Sequence, residues 1–397
     1  MRPILLLSLI FSFPALADEI IWDAQIRPRL IVDSGRDFVD DELVQREYVT
    51  QRSRLGATFK HDGGLTLRVQ VQDVRIWGEE ANTLDFSAGG LDLHEAFGDL
   101  PLYDGARLRV GRQEIVLDDA RLFGNVGWTQ RARSFDGARG MWRGEKLDLD
   151  LFFLVDGESD ADPDGAQGRG QIWVGGLHGT YKTEAVNASL GLYTRKDHPK
   201  DELRHTVGLF ASGKSEGFIY EAQFWYQLGD LAGESIAAFL TAARAGYALS
   251  GPAAPTLTLF GEYLSGDGKP EHAFDTLYAT NHKFYGEMDF FLNIPAQTAG
   301  LGLLDAGGRL EAKPAEAWAT AIDAHLLRTA EPDPNDNSDL GLEIDASASL
   351  KKSDKLSFRL LYGIFLPGKA MAGVKGLPED ADLATEHMVF FETDARW

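Results

Sequence analysis

The sequence predicts an all-β fold: a closed transmembrane antiparallel barrel of about 18 strands, with 16 as the alternative count. Three observations carry this. Apolar and polar residues alternate with a period of two almost to the C-terminus. The segments between alternating stretches are themselves alternately short and long. The chain ends on an aromatic residue, Trp397, on the apolar face of its last alternating stretch.

The first element is an address. Met1-Arg2 is a positive start, Ile4 to Phe13 an apolar run, and Ala15-Leu16-Ala17 a small-x-small cleavage pattern. Residues 1–17 therefore read as a secretory signal peptide cut before Asp18, leaving 18–397 as the barrel domain. No later stretch reaches the roughly 18 unbroken apolar residues of a membrane helix.

The strands follow from alternation, because successive side chains of a strand point to opposite faces. Ile20, Trp22, Ala24 and Ile26 oppose Asp23, Gln25, Arg27 and Arg29. Leu65, Leu67, Val69 and Val71 oppose Arg68, Gln70 and Gln72. Phe218, Tyr220, Phe224 and Tyr226 oppose Glu221, Gln223 and Gln227, and Leu340, Leu342 and Ile344 oppose Glu343 and Asp345. Val389, Phe391, Thr393, Ala395 and Trp397 form one face of the last strand. Turns such as Lys60–Gly64, Gly144–Lys146 and Lys351–Lys355 are short. Asp33–Gln45, Gly78–Gly90, Glu114–Asp136, Asp156–Gly170, Ser265–Pro295, Arg328–Asp339 and Pro367–Glu386 are long. Short turns on one side and long loops on the other mark an outer-membrane barrel. Backbone groups left unpaired in lipid are too costly for an open sheet. A secreted, soluble, saccharide-binding β protein is the reading from a different class, and it leaves the short–long alternation without a cause.

Composition narrows function. There are no cysteines, which removes disulfides, thiolate metal sites and thiol nucleophiles. A formal charge of −22 argues against nucleic-acid binding. The charge is unevenly distributed: residues 18–150 hold 18 basic and 25 acidic groups, and residues 151–397 hold 20 and 36. Sixteen of the 25 arginines lie between Arg27 and Arg143, against eight between Arg169 and Arg396. Arg27, Arg29, Arg52, Arg54, Arg68, Arg107 and Arg109 fall on polar strand faces, which in a barrel is the lumen. Arginine stays charged and presents a planar fork to carboxylates, so such a lumen should attract anions. The competing reading is that these arginines pair with lumenal Asp and Glu and stabilise the wall.

Two long motifs sharpen this. Gly111-Arg112-Gln113-Glu114 runs on to Arg121-Leu122-Phe123-Gly124, Trp128 and Arg133-Ser134-Phe135-Asp136-Gly137-Ala138-Arg139. Ser265-Gly266-Asp267, Phe274-Asp275-Thr276-Leu277-Tyr278, His282-Lys283-Phe284-Tyr285-Gly286 and Asp289 follow later. With Asp73-Val74-Arg75-Ile76-Trp77-Gly78, these resemble the alginate export family of Gram-negative outer-membrane barrels. The resemblance implies an 18-stranded monomeric barrel with an arginine-rich conduit for a polyuronate, and a place in the outer-membrane bilayer. It also implies a lumenal constriction of basic residues balanced by carboxylates. Arg75, Arg112, Arg121, Arg133 and Arg139 lie in the matching motifs, with Asp73, Asp136, Glu343 and Asp345 as expected partners. Periplasmic secretion partners are a further implication. A general or small-organic-acid porin of the same fold is the neighbouring reading.

From its length and motif, the Glu114–Asp136 loop is expected to fold partly into the lumen, and Ser265–Pro295 to cap the outer mouth. Other motifs are decoys. Gly208 to Ser215 fits a phosphate-loop pattern, but a period-of-two strand starts directly after it at Phe218, where the chemistry needs a helix. Asp160, Asp162 and Asp164 resemble the start of a Ca²⁺ loop, yet the closing position holds Gln171, and a solvated acidic loop is the preferred reading. None of the nine histidines forms HExxH. No enzyme and no cofactor are expected.

Overall fold

The computed structural model describes residues 18–39, 46–79, 90–158, 171–251, 253–378 and 380–397. Residues 1–17, expected to be a signal peptide, and the Asp160, Asp162, Asp164 triplet lie outside the described residues. β1 (Glu19–Asp33), β2 (Arg46–Lys60), β3 (Thr66–Ile76), β4 (Leu91–Tyr103), β5 (Ala106–Gln113) and β6 (Phe135–Arg143) come first. β7 (Leu147–Glu158), β8 (Gln171–Lys182), β9 (Val186–Asp197), β10 (Glu202–Ser215), β11 (Phe218–Leu231) and β12 (Glu234–Ala248) follow. β13 (Thr256–Leu264), β14 (Leu303–Ala315), β15 (Trp318–Arg328), β16 (Asp339–Ser353), β17 (Leu356–Pro367) and β18 (Glu386–Arg396) complete the set.

Each strand pairs antiparallel with its sequence neighbours, and β1 also pairs with β18, so the sheet closes without an edge. Trp397 seals the seam: its amide donates to the Ala24 carbonyl and its carbonyl accepts from the Ala24 amide. The phosphate-loop look-alike is part of strand β10, which leaves no loop to cradle a phosphate.

The faces follow the alternation. Gln25, Arg27, Arg29 and Asp33 of β1 are buried inside, and Trp22 and Ile26 are exposed outside. The strand ends that the seven long connections join all lie on one side of the barrel. Two further connections on that side are tight, 198–201 and 232–233, so the short–long rhythm lapses between β9 and β12. The two-residue turn Ala232–Gly233 has both φ positive, 52° and 89°, the geometry that matches the right-handed twist of a hairpin.

The barrel is not hollow. The 114–134 and 265–302 loops fold inward, bridged by a parallel pairing of Phe123 with Tyr278. Phe123 packs within 4.9–6.3 Å of the rings of Phe135, Phe152, Tyr193 and Tyr278. Aromatic pairs of this kind add about 0.5–1.5 kcal/mol each beyond simple burial. The inward course of the first loop is as expected. The second does more than cap the mouth: Phe274, Phe284, Tyr285, Met288, Phe290 and Phe291 are all buried in the interior.

Candidate functional site: the lumen and its two inward loops

The arginines of the β1–β2 wall hold the first loop. Carbonyls 127–129 turn towards that wall, and a guanidinium offers five donors in a fixed fork to receive them. Arg27 donates to the carbonyls of Gly127 (2.8 Å), Trp128 (3.0 Å) and Thr129 (2.8 Å), and to the Gln130 side chain. Arg52 reaches Gln25 at 3.1 Å and the Thr129 carbonyl at 3.3 Å. Arg29 pairs with Glu392 at 2.6 Å, donates to the Trp128 carbonyl, and its guanidinium lies 3.6 Å from the Trp128 ring centroid. Arg54 is bound to Gln72 and lies 3.9 Å from Glu114. Arg68 is gripped by Asp23 and Glu95, Arg107 and Arg109 share Asp99, and Arg139 pairs with Asp150 at 2.8 Å. These side chains are lumenal as expected, and each is engaged.

Two motif arginines fasten the loops to each other and to the far wall. Arg121 is 2% exposed, ion-paired with Glu262 of β13 and bonded to the Tyr285 hydroxyl at 3.2 Å. Arg133 donates to the carbonyls of Gly124, Tyr278 and Ala279, tying the first loop to the second.

Four expected lumenal residues stand elsewhere. Asp73 and Arg75 continue the outward parity of Leu67, Val69 and Val71, and form an ion pair on that face at 2.6 Å. Arg112 pairs with Asp136 at 2.7 Å, on the face opposite to Gln113 and Phe135, which are buried inside. Asp136 has 60% of its side chain exposed. The parity of β3 was enough to place Asp73 and Arg75 outside, but a motif match carries no face. Glu343 and Asp345 are lumenal but serve no expected arginine: they accept the backbone N–H groups of Met288 and Glu287, fixing the second loop to β16.

Where the loops meet, Trp128 stacks on His282 (3.9 Å between centroids, 6° between planes) and donates to Asp289 at 2.8 Å. His282 sits between Asp289 (2.6 Å) and Glu287 (3.2 Å), and Arg359 of β17 closes the chain onto Glu287 at 2.5 Å. Burial pushes the His282 imidazole down, but the two carboxylates more than reverse this and raise it to about 9. Burial pushes Glu287 up, and His282 and Arg359 hold it down at about 2. At neutral pH this junction is a closed set of alternating charges.

Beneath the junction lies a cavity of about 510 Å³, walled by β11 to β17 and roofed by the second loop. Its cations are Arg244, Lys283, Arg309, Arg359 and the His282 imidazolium; its carboxylates are Glu221, Glu287, Glu311 and Asp323. Arg309 is spoken for by Asp323 (2.8 Å) and Glu311 (3.1 Å). Arg244 and Lys283 have no carboxylate within ion-pair distance among the described residues; both lie over the Phe284 ring, at 5.2 and 5.7 Å. Arg244 belongs to the sparse later arginines, and Lys283 was quoted only as part of a motif. Arginine density pointed away from both.

The profile of the alginate export family matches residues 19–303. The chain belongs to the alginate export family. The match spans β1 to the first residue of β14, so both inward loops fall within this alginate-export region, whereas Arg309, Arg359, Glu343 and Asp345 lie beyond it. Among solved structures, the chain is similar to Pseudomonas aeruginosa OccD3 (OpdP), with a TM-score of 0.63, 13% identity, and 96% of this chain and 92% of that one covered. It is likewise similar to OprD of that organism (TM-score 0.63, 14% identity, 96% and 94% covered). OpdK of P. aeruginosa, solved with vanillate, is similar at a TM-score of 0.62 and 12% identity, with 96% and 99% covered. At such identities the likeness is one of fold. No curated protein matches the chain in sequence. Family and fold together make it an outer-membrane β-barrel channel.

Proposed function

We propose that this channel passes carboxylate-bearing, saccharide-like solutes by diffusion, with no catalytic step and no cofactor, as a lone barrel. The observation that carries the reading is the pair Arg244 and Lys283, cationic and free of ion-pair partners, in a cavity of about 510 Å³. Low-dielectric walls focus the field of such charges and raise the local concentration of anions. Thr256, Thr258, Glu221 and Glu311 on the same wall offer acceptors and donors for hydroxyl groups. Selectivity thereby belongs to the β11–β17 side, and Arg27, Arg29, Arg52 and Arg121 serve to build the constriction that forces solutes past it.

Small organic acids are the second reading. Two loops anchored across the lumen favour a narrow solute, and the similar OpdK was solved with vanillate, a ring carboxylate. Uptake into proteoliposomes separates the two. A uronate disaccharide is expected to enter roughly tenfold faster than a neutral disaccharide of equal size. Equal rates for the two disaccharides overturn the charge-selective reading; entry of small acids alone favours the second.

A further inference from the structure

Passage along the β11–β17 side leaves the buried His94 without a task. β4 carries a bulge: Gln70 faces Glu95 across the ladder and Val71 faces Leu93, so His94 between them has no ladder partner. A bulge of this kind re-aims a side chain. Here the His94 ring turns inward and is 2% exposed. Its Nε2 meets Glu114 Oε1 at 2.7 Å, and its Nδ1 meets the Ser134 hydroxyl at 3.2 Å. Asn125 holds the other Glu114 oxygen at 2.7 Å, and Arg54 stands 3.9 Å from the first.

The placement of the hydrogens follows. A carboxylate can only accept, so the neutral imidazole carries its proton on Nε2 and keeps the Nδ1 lone pair for the Ser134 O–H. Nucleophile, base and orienting acid thus stand in line. Ser134 and His94 open onto a cavity of about 540 Å³. Arg131 lines it too, exposed and without an ion pair among the described residues, its carbonyl fixed by Gln72 at 2.9 Å. The other charges there are Arg112, paired with Asp136, and Asp92. The Ser134 amide has no acceptor among the described residues, and with Arg131 it is a donor available to an oxyanion.

We propose that Ser134, His94 and Glu114 form an esterase site, apart from the passage cavity, that cleaves small carboxylate-bearing esters. A cavity of this size takes a small molecule, and Arg131 supplies the charge that selects its carboxylate. Ser134 Oγ adds to the ester carbonyl as its proton passes to His94 Nδ1. The bond from the carbonyl carbon to the alcohol oxygen then breaks, and the alcohol leaves with that proton. Water adds to the acyl-serine and gives a proton to His94. The acid departs as Ser134 Oγ takes that proton back. Glu114 stays ionised throughout and orients the ring.

The test is hydrolysis of 4-nitrophenyl monosuccinate and 4-nitrophenyl butyrate by the detergent-solubilised barrel, with a biotinylated fluorophosphonate to tag the nucleophile. The unaltered protein is expected to turn over the succinate ester and to carry the tag on Ser134, located by peptide mass spectrometry. Ser134→Ala and His94→Gln should each lower kcat about 100-fold or more and abolish the tag. Glu114→Gln should lower kcat with KM unchanged. Arg131→Gln should raise KM for the succinate ester several-fold and leave the butyrate ester alone. Hydrolysis by the unaltered protein no faster than by Ser134→Ala overturns the proposal, and so does a tag on another residue. Either result leaves the transport reading standing, because the reversal potential of the same preparation is read separately.

Discussion

The β1–β6 wall is rich in arginine and the β11–β17 wall is poor in it, yet the cavity beneath the loop junction, with Arg244 and Lys283 free of ion pairs among the described residues, lies on the second. On the first side, the exposed Arg131 of the 114–134 loop is the counterpart without an ion-pair partner among the described residues. On the first wall Arg27 and Arg52 are spent on loop carbonyls, and Arg29, Arg68, Arg107, Arg109 and Arg139 on carboxylates. On the second, Arg244 and Lys283 face a cavity with, among the described residues, only the Phe260 and Phe284 rings and the Asp119 carbonyl as close partners. A residue's abundance on the lumenal face thus differs from its availability. Availability depends on what else folds into the lumen.

The largest expected effect comes from the buried clamp. Arg121→Leu removes the ion-pair partner of buried Glu262, which should cost about 3–5 kcal/mol of docking for the 114–134 loop. Single-channel conductance should rise several-fold, and the loop should become open to protease. Adding Glu262→Leu should restore much of the loss. Unchanged conductance would show that the loop is held without this pair.

Next in size is the selectivity contrast. Arg244→Gln with Lys283→Gln should lower the anion-to-cation permeability ratio several-fold, whereas Arg52→Gln should alter loop stability more than the ratio. A larger loss of preference from Arg52→Gln would reverse the roles of the two walls.

The junction between them should respond to alkali. His282 is raised above its usual value of about 6.5, so its contribution is complete below that pH and is lost as pH rises through about 9. Conductance is expected to be steady from pH 6 to 8 and to increase between roughly 8 and 10. His282→Gln should remove the step; a step that survives assigns it to another group. The smallest effect should come from Arg75→Gln, which alters the outward face and should leave reversal potential unchanged.

Most of the fold was legible because period-two alternation and turn spacing are local properties. Strand number, closure and the aromatic last residue could be read that way, whereas the inward turn of the 114–134 loop was expected from its length and motif alone. The site was legible only in part. Arg27, Arg29 and Arg52 were placed on the correct face, but their partners lie about 75–103 residues away in a loop whose path no local pattern encodes. Asp73 and Arg75 were placed by motif against their own parity. Glu343 and Asp345 look like partners for arginine in sequence, and in space they meet backbone N–H groups that carry no sequence signature. Arg244 drew no attention because isolation, the property that matters, is invisible until its neighbours are known.

The central claim is that anions pass along the β11–β17 side, drawn by Arg244 and Lys283. Reversal potential in a planar bilayer under a salt gradient tests it most directly, with unaltered protein beside Arg244→Gln/Lys283→Gln. The expected result is anion preference that falls towards non-selectivity in the double variant. Cation preference in the unaltered channel, or anion preference unchanged in the variant, would contradict it.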